Sequence, residues 1–152
     1  MRVVLLLPSA SLPTYGSAGA GGMDLTAAEG AVVPPSRVTH SSGVQVGRAL
    51  IRTGIAVQLP KGTVGRIGSR SGLSIQRNVE VGAGWIDPDY RGELLVELKN
   101  LGDEPLPIQP GDRIAQLFVL VTKQVRPRSV TRLSHAARGS KGFGSTGIAA
   151  PR

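Results

Sequence analysis

The sequence predicts an all-β fold, a barrel or sandwich with little helix, followed by a flexible C-terminal arm. Three observations carry that prediction. Gly and Pro together make 32 of 152 residues, which disfavours long helices and suits short strands joined by turns. Runs rich in Val, Ile and Leu recur at short intervals with turn residues between them. Hydrophobic residues at 40% are enough for one core in a chain about one domain long.

Residues 2–7 read as the first strand, because the apolar run at 3–7 stops at Pro8, short of the ~7–15 residues of a secretory h-region. Further strands are expected near 23–33, 49–58, 63–69, 92–99 and 112–122, with shorter ones near 79–82 and 105–109. A short helical turn is expected after Ser71. In 92–99, Leu94, Val96 and Leu98 alternate with Glu93, Leu95, Glu97 and Lys99, so one face belongs to the core. The segment 112–122 is apolar on both sides, with Ile114, Leu117, Phe118, Val119, Leu120 and Val121. Such a strand is expected to be covered on both faces, which in so small a chain points to a subunit contact. No stretch approaches the ~18 apolar residues of a membrane helix, and a soluble, cytoplasmic protein is expected.

The absence of Cys and the wide separation of His40 and His135 exclude a disulfide framework, thiolate metal sites and histidine zinc motifs. The net charge of +8 is unevenly placed. Residues 1–122 carry 11 Lys/Arg and all 10 Asp/Glu, whereas residues 123–152 carry 7 Lys/Arg and no acid. The chain therefore divides into a β domain at 1–122 and a basic, Gly/Ser-rich arm at 123–152. The arm reads either as a solvated tail or as a flap over a polyanion. With Phe143 as its only aromatic, it lacks the stacking residues of a single-strand nucleic-acid surface.

Chemistry concentrates in four stretches. AGAGGMDLTA (18–27) places Asp24 at the head of a strand, after a flexible turn. GRIGSRSGLS (65–74) offers Arg70, Ser71 and Gly72 at a strand end, where a guanidinium, a hydroxyl and an unshielded amide can hold an anion. RGSKGFGSTG (138–147) repeats that chemistry in the arm. VGAGWIDPDYRGEL (81–94) reads as a hairpin whose small tip receives a planar ligand edge-on, with Asp87 at its rim. Taken alone, a loop such as 65–74 is a structural turn more often than a ligand cradle, and 81–94 reads equally well as a turn whose Asp-Pro-Asp satisfies backbone donors. Neither a Walker A lysine motif nor a strand-led GxGxxG occurs.

AGGMDL (20–25), GSRSGLS (68–74), VGAGWIDPDYRGE (81–93), GDRIAQL (111–117) and RGSKGFGSTG (138–147) resemble the five motifs of the homotrimeric dUTPase family, in that family's chain order. TGIAVQLPKGTVGRI (53–67) extends the likeness, which runs from about residue 18 to 147. The resemblance implies a jelly-roll-like β subunit, and magnesium-dependent hydrolysis of dUTP to dUMP and pyrophosphate by a homotrimer whose active sites are shared between subunits. Such an activity limits uracil in DNA and supplies dUMP for dTMP synthesis, and no specific nucleic-acid or membrane partner is expected.

By the resemblance, Asp87 activates the water that attacks the α-phosphorus, and Tyr90 packs on deoxyribose where a 2′-hydroxyl has no room. Ala83 and Gly84 read uracil through the main chain. Arg70, Ser71, Gly72 and Gln116 hold phosphate, and Asp24 reaches Mg2+ through water. In the arm, Phe143 stacks on uracil, and Arg138, Gly144, Ser145 and Thr146 complete substrate contacts as the arm closes. Lys123, Arg126, Arg128 and Arg132 have no counterpart role.

Three positions depart from common family usage: Ser69 stands for proline, Val81 for asparagine, and Trp85 is bulky for its place. Ser69 is expected to loosen its loop without removing a ligand. Two other readings stand beside the hydrolase. A dCTP deaminase shares the trimeric scaffold but needs a glutamate acid/base in a differently built third motif. A basic non-catalytic binder would lose nucleic-acid affinity steeply with salt. Asp24, Asp87 and Phe143 together favour the hydrolase.

Overall fold

The structure, a computed structural model, describes residues 1–39, 43–136, 139 and 140. Within them the chain runs β1 (Arg2–Leu5), β2 (Thr14–Tyr15), β3 (Met23–Thr26), β4 (Ala31–Val33), β5 (Arg37–Thr39), β6 (Gly43–Gln45), β7 (Gly47–Gln58) and β8 (Thr63–Gly68). It continues through α1 (Ser71–Arg77), β9 (Val79–Val81), β10 (Trp85–Ile86), β11 (Glu93–Asn100), β12 (Leu106–Ile108) and β13 (Arg113–Val121). One sheet has the order β1-β7-β11-β9 and the other β10-β8-β13-β3-β2, with β12-β4 and β5-β6 as two-stranded ribbons. The pairings are antiparallel throughout, as an all-β chain without crossover helices requires.

A single core lies between the sheets. Ile51, Ile55, Leu94, Val96 and Leu98 come from one sheet, Leu25, Ile67, Ile114 and Leu117 from the other, and Val33, Leu106 and Ile108 from the β12-β4 ribbon. Each fully buried aliphatic side chain contributes roughly 1.5–3 kcal/mol relative to exposure. The alternation in β11 is as predicted: Leu94, Val96 and Leu98 are buried while Leu95 is exposed. In β13, Ile114, Ala115 and Leu117 are buried, but Leu120 and Val121 stand exposed at the strand end, so one chain covers only part of its second face.

The expected strand at 23–33 is two strands in different sheets. Ala27 and Ala28 between them are buried, so the break carries no polar signature. Their backbone is held instead by Asp112 and Arg52 carbonyls at 2.9 and 2.8 Å. β9 and β10, read as arms of one hairpin, do not pair: β9 lies on β11 and β10 on β8. Residues 122–136 form no strand or helix and are exposed, and the Thr122 amide meets the Gly62 carbonyl at 2.9 Å. Among the described residues no helix is long and apolar enough to cross a membrane.

Candidate functional site

Three of the five motif segments meet at Asp24. Asp24 stands on β3 with Thr14 of β2 opposite it on one side and Gln116 of β13 on the other, and Gly68 of β8 faces Gln116 in turn. The Asp24 carboxylate is buried. It accepts from Gln116 Nε2 at 3.2 Å and Arg113 at 3.2 Å, and lies 3.4 Å from Arg70 Nε. Arg70 also donates to the Arg113 carbonyl at 3.0 Å, tying the second-motif loop to β13. A carboxylate removed from water needs such partners, and here two guanidiniums and an amide supply them. The Phe118 ring lies over Gly22 and Gly68, where a Cβ at Gly22 would come within 2.8 Å of its edge. Those two glycines therefore let the first and second motifs close on β13.

Arg113 was not among the residues singled out from the sequence. By period-two alternation, residues three apart in a strand face opposite sides. A register shift between Arg113 and Ala115 brings Arg113 and Gln116 to the same carboxylate.

The third motif is a switch between sheets. Gly82 donates to the Glu97 carbonyl at 2.9 Å, extending the β9–β11 ladder, while the Gly84 carbonyl accepts from Ile67 N at 2.7 Å, extending β10–β8. Ala83 lies between the two ladders, and its amide donates to Glu97 Oε2 at 2.8 Å. Both flanking glycines are needed for space. A Cβ at Gly82 would overlap the Glu97 carboxylate, and one at Gly84 would sit 2.5 Å from the Ile67 carbonyl oxygen and 2.7 Å from the Arg66 guanidinium.

The Glu97 side chain can move and the Ile67 carbonyl cannot. Gly84→Ala is therefore expected to cost more than Gly82→Ala, by about 1–3 kcal/mol in the range of overpacked sites. Thermal denaturation of the two variants checks this ordering, and equal melting temperatures would refute it.

Downstream, Asp87 is exposed and its carbonyl accepts from Tyr90 N at 3.1 Å, closing a turn. Tyr90 donates its hydroxyl to the Glu93 carbonyl at 3.1 Å, and its ring lies where a Cβ on Gly92 would be 2.6 Å from Cζ. Trp85 stays 64% exposed with the Arg66 guanidinium 5.2 Å from its ring centroid. No hydrogen bond or ion pair joins Asp87 or Tyr90 to Asp24, Arg70 or Gln116 among the described residues.

Ser69 does not loosen its loop. Its hydroxyl donates to Glu80 Oε2 at 2.5 Å and accepts from Val81 N at 2.8 Å, and Ser74 donates to Glu80 Oε1. These two hydroxyls hold the Glu80 carboxyl below the ordinary glutamate range, against a smaller opposing effect of burial. Glu80 and Glu97 were likewise not singled out, since each acts by holding a neighbouring loop. Arg138, Phe143, Gly144, Ser145 and Thr146 lie outside the described residues.

Asp24 has both oxygens engaged, and among the described residues no group of three or more His, Asp or Glu stands together. A single buried carboxylate with both oxygens engaged could hold magnesium only if the ion kept several of its waters.

The dUTPase family profile matches residues 8–147. The deoxyuridine 5'-triphosphate nucleotidohydrolase of Candida albicans is 42% identical over 149 residues, spanning 97% of this chain and 87% of that protein. That of Paramecium bursaria Chlorella virus 1 is 45% identical over 150 residues, spanning 97% and 98%. Among solved structures, the Staphylococcus bacteriophage 80alpha dUTPase with dUpNHpp has a TM-score of 0.85 at 29% identity, covering 97% of this chain and 98% of that one. A mutant dUTPase from phage phi11 of S. aureus, whose structure concerns coordination of a structural Mg(II) ion, has a TM-score of 0.74 at 26% identity, covering 86% and 96%.

Proposed function

Because the chain belongs to the dUTPase family, whose members hydrolyse dUTP, we propose that it splits dUTP into dUMP and pyrophosphate by in-line attack of an Asp87-activated water on the α-phosphorus. The observation that carries this reading is the convergence of Arg70, Arg113 and Gln116 on buried Asp24. It leaves a cationic, glycine-lined edge beside the exposed Ser71 and Gly72, chemistry that matches a triphosphate.

Arg70, Ser71, Gly72 and Gln116 bind the phosphates. Asp24 holds the arginine pair in place and would hold Mg2+ through water, and the ion when bound would offset charge on the phosphate oxygens. The Ala83 amide and Gly84 carbonyl are already committed to Glu97 and Ile67. Uracil is therefore read by the Ala83 carbonyl and Gly84 amide. Tyr90, fixed by Glu93 and Gly92, packs on deoxyribose and excludes a 2′-hydroxyl. The arm at 123–152 closes over the substrate through Arg138, Phe143, Gly144, Ser145 and Thr146, keeping out bulk water.

No hydrogen bond or ion pair joins Asp87 to the Asp24 cluster among the described residues, which fits a complete site that takes Asp87 from one subunit, the phosphate cradle from a second and the arm from a third. Exposed Val4, Leu50 and Leu95 on the outer face of the β1-β7-β11-β9 sheet, with Leu120 and Val121, support such a trimer.

The test is pyrophosphate release from dUTP, dCTP, dTTP and UTP, with and without magnesium. Magnesium-supported release from dUTP alone is the expected result. Release from dCTP, or from UTP at a similar rate, would overturn the assigned base and sugar contacts.

A further inference from the structure

We propose that Glu80 is a positioning residue for the triphosphate, holding the Arg70–Ser71–Gly72 loop in place through the hydroxyls of Ser69 and Ser74. The inference rests on the dUTP-hydrolase reading above. Ser69 and Ser74 bracket that loop, and each gives its hydroxyl to a different oxygen of the one carboxylate, Ser69 to Oε2 and Ser74 to Oε1. Ser69 in turn accepts the Val81 amide, so the same oxygen that meets Glu80 also ties the loop to the last residue of β9, next to the Gly82–Gly84 switch.

Apart from Leu73, which packs partly buried against the core, little else fixes this segment. α1 is seven residues long, has no buried residue and no side-chain cap at Arg70, and carries no acid in its first turn. A Cβ on Gly72 would meet nothing within 4 Å. A helix this short is marginal without tertiary support. Its far end is closed by Asn78 in the left-handed region, at φ 52, whose amide returns to Leu73 and Ser74 carbonyls. Its near end depends on the clasp, together with the contacts of Arg70 itself.

Glu80 is well suited to the task. It stands on β9 opposite Lys99 of β11, yet the two make no ion pair among the described residues, and the carboxylate is spent on the serines. An ionised carboxylate accepts both hydroxyls at once, and hydroxyl-to-carboxylate bonds are short and directional. Phosphoryl transfer depends on alignment of the phosphate oxygens, where a displacement of about 1 Å costs on the order of 10²-fold.

The experiment measures dUpNHpp and dUMP affinity by calorimetry, and dUTP turnover, for wild type, Glu80→Ala, Ser69→Ala/Ser74→Ala and the triple variant, each checked by thermal denaturation. Glu80→Ala is expected to weaken dUpNHpp by roughly tenfold and to raise KM for dUTP in step, as one lost charge-assisted contact implies. Affinity for dUMP, which lacks the outer phosphates, is expected to change less than about twofold. The serine double variant should reproduce the effect, and the triple variant should add nothing to it, since the three residues act as one unit.

Unchanged dUpNHpp affinity in Glu80→Ala overturns the proposal, as does equal weakening of dUMP and dUpNHpp, which marks a general structural role. If Glu80→Ala does not fold, Ser74→Ala decides on the same criteria, because it leaves the Ser69–Val81 tie intact. A wild type that binds dUpNHpp but does not turn over dUTP overturns the hydrolase reading alone and leaves the clasp to be judged on binding.

Discussion

Replacing Asp87 by asparagine is expected to lower kcat for dUTP by roughly 10²–10⁴-fold, the usual worth of a general base, while KM stays within a few-fold. The side chain is exposed and makes no hydrogen bond among the described residues. Only its backbone carbonyl takes part in the turn to Tyr90. Asparagine therefore keeps the shape and the turn, removes the proton acceptor, and should leave the melting temperature unchanged. The same variant reports on subunit sharing. Mixed with Phe143→Ala after subunit exchange, it should regain part of the activity, because an assembled site can then draw an intact Asp87 and an intact Phe143 from different chains. A kcat near wild type would remove Asp87 from its role. Absent recovery despite demonstrated exchange would remove the shared site.

Asp24→Asn is the second large effect. The carboxylate is 6% exposed and faces two guanidiniums, so the substitution leaves Arg70 and Arg113 without their counter-charge and aims an amide donor at one of them. Breaking one side of a fully buried pair costs about 3–5 kcal/mol. Here the Arg113 side chain is 57% exposed and water replaces part of the loss, which brings the stability cost to about 1–2 kcal/mol. The functional cost is expected to be larger. With Arg70 no longer oriented, kcat/KM should fall by about two orders of magnitude, or about 2.7 kcal/mol of transition-state stabilisation. Steady-state kinetics beside a thermal melt separates the two, and a loss of activity no greater than the loss of folded protein would reduce Asp24 to a structural ion pair.

The parts of the molecule legible from its sequence are those governed by one-dimensional periodicity. The alternation of Leu94, Val96 and Leu98 placed β11 and its core face, and the apolar runs placed β7, β8 and β13. What escaped is governed by pairings between distant residues. Ala27 and Ala28 look like strand interior because they are apolar, and only their capture by Asp112 and Arg52 carbonyls shows that the chain turns there. β5 and β6 expose Val38 and Val44, so no buried stripe announces them. The Gly-Ala-Gly run has the composition of a hairpin tip, yet its glycines are demanded by Glu97 on one side and Ile67 on the other. The motif residues that meet at Asp24 were readable by resemblance. Arg113 was hidden by a register shift, and Glu80 by acting through two serines rather than on a ligand.

Trp85 is the only tryptophan in the chain, and it stands two residues from Asp87. It lies on β10, the end strand of its sheet, with its indole mostly in water and a guanidinium over its face. All indole emission from this protein therefore originates beside the Gly82–Gly84 switch. The molecule carries its own optical probe there, one that senses a change of polarity or a displaced Arg66 without any label, and whose signal is not diluted by a second fluorophore of its kind elsewhere in the fold.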